Sequence, residues 1–149
     1  VGLMVRPELD RASAIESDLR VISDIYPISD LPDLPESIRY ADAIRQASEG
    51  TGVRLIAHAY ARYLGDLSGG QILRKLIQRS LDLPPAALTF YDFPKIPDIA
   101  AFKADYRSAI ERAGDELGDF GSVVDEGARA FELNIELSVA LQKAALREG

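Results

Sequence analysis

Apolar positions recur at intervals of three and four residues along nearly the whole chain, the spacing of one helix face. Leu9, Ile15, Leu19 and Ile22 carry such a row, and Pro7 suits a first helical turn, so a helix is predicted over residues 7–26. Residues 27–35 read PISDLPDLP, and their three prolines predict a linker. A second helix is expected from residue 35 or 36 to 48, stopped near Gly50. Val53, Ile56, Tyr60, Leu64 and Leu67 then follow i, i+3, i+4, i+7 logic and predict a long helix over 53–81. Residues 82–97 hold Pro84, Pro85, Pro94 and Pro97 and predict a long loop, with a short extended piece at 88–93. Asp98 can cap a helix over 98–114, with Ile99, Phe102, Tyr106 and Ile110 on its buried side. Gly114, Gly118 and Gly121 punctuate a connection to a last helix over 122–146. That helix is apolar on more than one face, with Val124, Ala128, Phe131 and Ile135 on one and Leu133, Leu137 and Leu141 on another. Such a helix is expected at the centre of a bundle. The pattern therefore predicts an all-α helical bundle, one domain over 1–149.

Length and charge narrow the field. A chain of 149 residues can bury roughly two thirds of its unfolded surface. Its net charge of −7 argues against nucleic acid and against an anionic membrane surface as partner. There is no cysteine, so this chain supplies no disulfide and no thiolate metal site, which fits a reducing cytoplasm. No apolar run approaches the roughly 20 residues that span a bilayer. The chain opens VGLMVRPELD, without an initiator methionine, which predicts processed material or a piece of a longer protein.

The chemistry concentrates in AHAYARYLGDLSGG, residues 57–70. Gly65, Gly69 and Gly70 fall inside a helical pattern, where each glycine costs about 1 kcal/mol relative to alanine. They predict a helix that bends and lets something flat approach its backbone. On an ideal wheel His58, Arg62, Gly65, Asp66 and Gly69 share one face, opposite the stripe through Tyr60, Leu64 and Leu67. The plainer alternative is a solvated face with an Arg62–Asp66 pair at i, i+4, but such a face needs no glycine.

The stretch AHAYARYLGDLSGGQILRKLIQRSLDLP resembles the distal-helix signature of heme oxygenases. The resemblance continues in order through ALTFYDFP, FKADYRS and AFELNIEL, covering about residues 7–146. It implies an all-α bundle that holds heme beside a kinked, glycine-rich distal helix. It also implies O₂- and electron-dependent opening of heme to biliverdin, CO and Fe²⁺. Gly65 and Gly69 would let the backbone lie against the heme plane. Asp66 would order the water that delivers a proton to bound O₂, a task a carboxylate can perform without ligating iron. Arg62, Tyr40 and Asn134 match polar positions that extend this water network. Asn134 also stands out by itself, since an amide among Phe131, Ile135 and Leu137 needs partners, and a structural hydrogen bond is its other reading.

Further roles rest on the same resemblance. Lys103 and Arg107 would clamp the heme propionates; otherwise they are a solvated basic edge at i, i+4. Tyr60 matches a propionate-contacting tyrosine, although the wheel puts it on the apolar stripe. Phe131 would line the pocket or simply pack in the core. His58, the one histidine, lies on the distal helix and matches no heme ligand, so it is read as structural or solvent-facing. The proximal histidine is expected upstream of Val1, and no metal ligand is assigned within the chain. The chain is then the ordered part of a longer protein, a processed or engineered fragment, or a natural short homologue. An open heme face predicts self-association or partial disorder around residues 60–75. Electrons would come from a ferredoxin- or reductase-type donor, with Arg74, Lys75 and Arg79 as a docking patch or a merely solvated face. The competing function is a non-catalytic heme or bilin carrier, or a helical interaction protein that keeps the fold.

Overall fold

The computed structural model describes residues 6–26, 33–118 and 120–145. These residues form helices, short 3-10 turns and connecting loops, with no strand among them. The six α-helices are α1 (Ala12–Ile25), α2 (Pro35–Ala47), α3 (Leu55–Ala59), α4 (Gly65–Leu81), α5 (Ile99–Leu117) and α6 (Phe120–Ala145). A π turn, Tyr60–Leu64, joins α3 to α4, so helical turns run unbroken along the predicted long helix. The all-α reading holds, and most of the linker expected at 27–35 lies outside the described residues.

Three local expectations give way. The extended piece at 88–93 is absent; the 3-10 turn Thr89–Tyr91 stands there instead, preceded by another at Pro85–Ala87. The glycine-rich connection before the last helix is also shorter than expected. Helix α5 runs on to Leu117, and Gly118, at φ +64°, takes the left-handed turn that a β-carbon would disfavour. Gly121 lies inside α6. Finally, α6 is not apolar-buried all round. Phe131 is 54 % and Ile135 62 % exposed, so the row through Val124, Phe131 and Ile135 faces outward.

The helices group into two compact units. The first holds α2, α3, α6 and α5 from Ser108 onward. In it α6 packs on both α2 and α3, and the buried positions are small: Ala43 and Ala47 on α2, Ala57 on α3, Ala130 on α6. Small side chains let helix backbones approach, which brings the few long polar side chains into bonding distance.

The second unit holds α1, α4, the 3-10 turns and α5 up to Arg107. Its core gathers Leu83, Ala87 and Leu88 with Val21, Ile22, Ile77 and Tyr91. Tyr106 is fully buried, stacked on Phe102 at 6.0 Å and met edge-on by Tyr63 at 6.4 Å. As expected, Asp98 caps α5, its Oδ1 accepting the Ala101 N–H at 2.9 Å.

Candidate active site

The π turn decides which side chains share a surface. A π turn closes i→i+5 hydrogen bonds and so adds about one residue to the turn. Every residue beyond Leu64 is thereby rotated away from its place on an ideal wheel. Tyr60 leaves the stripe it was expected to join. Leu64 and Leu67 are buried, while Tyr60 is 47 % exposed. The glycines themselves need no unusual backbone, since Gly65, Gly69 and Gly70 all keep helical geometry and none has positive φ. Their contribution is the missing side chain. A Cβ at Gly65 or Gly69 would meet nothing within 4 Å, whereas one at Gly70 would stand 3.2 Å from Tyr91 Cδ1. Gly70 thus makes room for an internal ring, and Gly65 and Gly69 leave bare backbone beside open space.

Asp66 sits between those two bare positions with its side chain 12 % exposed. Arg62 Nε approaches its Oδ2 to 3.0 Å, one turn away. The N–H does not point at the oxygen, so Oδ2 is buried without an aligned donor. Burial pushes the Asp66 carboxyl above the ordinary carboxylate range, against the pull of the Arg62 and Arg11 guanidiniums. Tyr91 is pushed up as well, by burial first and then by the neighbouring Asp66 carboxylate. Lys103, on α5, donates to Ser68 Oγ at 3.1 Å and so faces α4 between the bare glycines, while Arg107 is exposed.

The other predicted polar residues meet in the first unit. Asn134 Nδ2 donates to Tyr40 Oη at 2.6 Å and to the Ala130 carbonyl at 2.8 Å, tying α6 to α2. The tyrosine oxygen accepts in this bond, which leaves its own O–H to donate elsewhere. His58 is buried on α3, its Nε2 2.9 Å from Glu126 Oε1 on α6. Glu126 also draws Arg54 to 3.6 Å and Arg129 to 3.9 Å. The structural reading of His58 holds, and the solvent-facing one does not.

Sequence reasoning passed over Glu126 and Asp18. Asp18 is the residue that α1 buries, and its carboxylate accepts from Thr89 N at 2.8 Å, Thr89 Oγ1 at 2.6 Å and Phe90 N at 2.8 Å. The signal was legible: an aspartate three residues after Ile15 and four before Ile22 falls on the apolar row.

This arrangement of bare glycines around a buried, under-bonded carboxylate accompanies a family-wide match. The model of the family described as "Heme oxygenase" matches residues 1–140. The chain belongs to the heme oxygenase family. It is 36 % identical to "Heme oxygenase 1" of Synechocystis sp., over 88 % of this chain and 55 % of that protein. It is 38 % identical to the "Heme oxygenase" of Guillardia theta, over 94 % of this chain and 60 % of that one. Against human "Heme oxygenase 1" the identity is 38 %, covering 91 % and 48 %. The solved structure of heme oxygenase from Leptospira interrogans superposes with a TM-score of 0.80 at 38 % identity, covering 89 % of this chain and 65 % of that one. This chain thus spans about half the length of the heme oxygenases it resembles, from 48 % to 60 % of these three. Among the described residues no helix is long and apolar enough to cross a membrane.

Proposed function

We propose that this chain carries the distal part of a heme oxygenase site, in a protein that opens heme to biliverdin, CO and Fe²⁺ with O₂ and electrons. The observation that carries the reading is Asp66: a buried carboxylate with one oxygen lacking an aligned donor, flanked by two glycines whose Cβ positions face open space. That cradle fits a flat macrocycle laid along α4, with an ordered water donating to Oδ2. Heme, when bound, supplies the iron at which O₂ is reduced and is itself the substrate that is opened.

The chain's own residues then have distinct tasks. Gly65 and Gly69 provide clearance. Asp66 holds a water through its under-bonded oxygen, and its raised affinity for a proton suits it to pass one on. Arg62 keeps that carboxylate ionised and in place. The Tyr40–Asn134 pair offers a hydroxyl proton and an amide oxygen to further water. Lys103, with Arg107 and Tyr60, supplies the contacts for two propionates. Phe131, exposed on α6, supplies apolar surface. Lys75 and Arg79 are exposed one turn apart and suit an acidic electron donor of ferredoxin or reductase type, while Arg74 is engaged by Asp92 at 2.8 Å. A cysteine-free chain suits a reducing cytoplasm.

The test adds hemin and a reductant to the full-length protein and follows the Soret band. Conversion to a bilin spectrum is expected. A Soret band that forms and persists would instead mark a heme carrier. Asp66→Asn is expected to bind hemin within about twofold of wild type and to lose ring opening by about 10²-fold or more, the usual scale for a positioned proton-transfer group.

A further inference from the structure

The Arg62–Asp66 pair has a support that the i, i+4 spacing does not explain. Arg62 is half exposed, and an exposed arginine ordinarily samples many rotamers rather than one. Here its guanidinium lies over the Phe90 ring, Cζ 5.3 Å from the centroid. Phe90 belongs to the 3-10 turn Thr89–Tyr91, and that turn is pinned from below. The buried Asp18 carboxylate accepts both leading backbone N–H groups and the Thr89 hydroxyl. From above, Gln71 donates to the Tyr91 carbonyl at 2.6 Å, and the Tyr91 ring rests where Gly70 lacks a side chain. Phe90 and Tyr91 meet edge to face at 5.1 Å, so the two rings move together.

We propose that Asp18 and Phe90 are positioning residues for Asp66: the carboxylate fixes the turn, the turn presents Phe90, and Phe90 holds the Arg62 guanidinium against Asp66. Both would act through Arg62. The proposal rests on the reading of Asp66 as the group that orders water, but the coupling it asserts exists without heme. The other charged groups facing Asp66 do not depend on this turn in the same way. Arg11 lies over Phe93 at 4.4 Å and donates to the carbonyls of Asp92 and Glu8, anchors separate from Phe90. Tyr91 is the remaining titratable neighbour, and it stays neutral through the carboxylate range. A change in the titration of Asp66 on disturbing Phe90 therefore reports Arg62.

The experiment follows the Asp66 carboxyl by ¹³C NMR during acid titration of the full-length, heme-free protein. Phe90→Leu removes the ring face and is expected to raise the Asp66 midpoint toward that of Arg62→Gln, which sets the full effect. Asp18→Asn, which replaces an acceptor oxygen by an amide NH₂ donor facing an N–H, is expected to move it the same way. Phe90→Trp retains a face for the guanidinium and is expected to titrate as wild type. Ile56→Ala, in the core of the first unit, lowers stability without adjoining the turn and is expected to leave the midpoint in place. With heme, Phe90→Leu is expected to slow ring opening about tenfold while hemin affinity stays within about twofold, a part of what a positioned proton-transfer group contributes.

An unmoved midpoint in Phe90→Leu, where Arg62→Gln does shift it, overturns the proposal. So does an equal shift in Ile56→Ala, which would make the effect general loosening. Should Phe90→Leu shift the midpoint in a protein that never opens heme, the positioning stands and the proposed function fails.

Discussion

Asp66 is placed where its charge is unfavourable. Burial raises its carboxyl above the ordinary value of 3.8, and the partly exposed Arg62 and the more distant Arg11 recover only part of the cost. The sign follows from linkage: a carboxyl whose folded pKa is raised binds its proton more tightly when folded, so ionisation at neutral pH lowers stability. Asp66→Asn is therefore expected to be more stable than wild type at pH 7. The gap should close as pH falls through the raised pKa toward 3.8, measured by urea unfolding across that range. A functional group held at the expense of stability behaves in this way. Tyr106 gives the contrasting case of a buried group whose hydroxyl takes no part in that chemistry. Burial, with Tyr63 beside it, pushes its hydroxyl up to about 12 from 10.0, and the oxygen has no hydrogen-bond partner. Stability is then intact below pH 10 and falls between 10 and 12, by about 2–3 kcal/mol at roughly 1.4 kcal/mol per pH unit. Tyr106→Phe is expected to remove that alkaline loss and to leave neutral stability equal or higher, because an unsatisfied hydroxyl is deleted. Alkaline unfolding followed by circular dichroism checks it.

At the scale of elements, the distal helix shows what a sequence pattern can and cannot convey. The apolar period located the helix from its start near Val53 to Leu81, and Gly65 and Gly69 marked the bare surface. The period could not show the π turn, because one extra residue in a turn arises from packing and leaves no compositional trace. An ideal wheel drawn across Tyr60–Leu64 therefore put Tyr60, which is 47 % exposed, on one stripe with the buried Leu64 and Leu67. The 3-10 turn at Thr89–Tyr91 escaped for a similar reason. Its shape depends on Asp18, seventy-one residues earlier, so ALTFYDFP read locally as an extended piece. The glycines can be separated experimentally. Gly69→Ala places its Cβ in open space and adds a better helix former, so the heme-free protein is expected to gain up to about 1 kcal/mol while hemin affinity falls. Gly70→Ala drives a Cβ to 3.2 Å from the Tyr91 ring, and overpacking of about 1–3 kcal/mol cancels or exceeds the same gain. Thermal melts with and without hemin distinguish the two, and a Gly69→Ala variant with unchanged affinity would remove the clearance role.

At the scale of the whole molecule, two tendencies oppose each other. The chain carries a net charge of −7, which keeps copies apart. It also leaves large apolar side chains in water, among them Leu19 and Leu76 as well as Phe131 and Ile135. Apolar exposure of this kind favours association. The two contributions respond oppositely to salt. Added salt shortens the screening length from about 30 Å at 0.01 M to about 10 Å at 0.1 M, which weakens repulsion between like-charged copies but leaves apolar contact unimpaired. Association through the apolar surface is therefore expected to strengthen as ionic strength rises, whereas a dimer held by ion pairs would weaken. Sedimentation equilibrium at 0.01, 0.1 and about 0.5 M salt decides between them. Phe131→Ser with Ile135→Ser is expected to lower the association constant at every salt concentration. Hemin is expected to compete with association where the same surface serves both, since heme bound against Phe131 removes that ring from contact with a second copy. Association that is insensitive both to hemin and to the double substitution would place the self-contact elsewhere, on the exposed rows of α1 or α4.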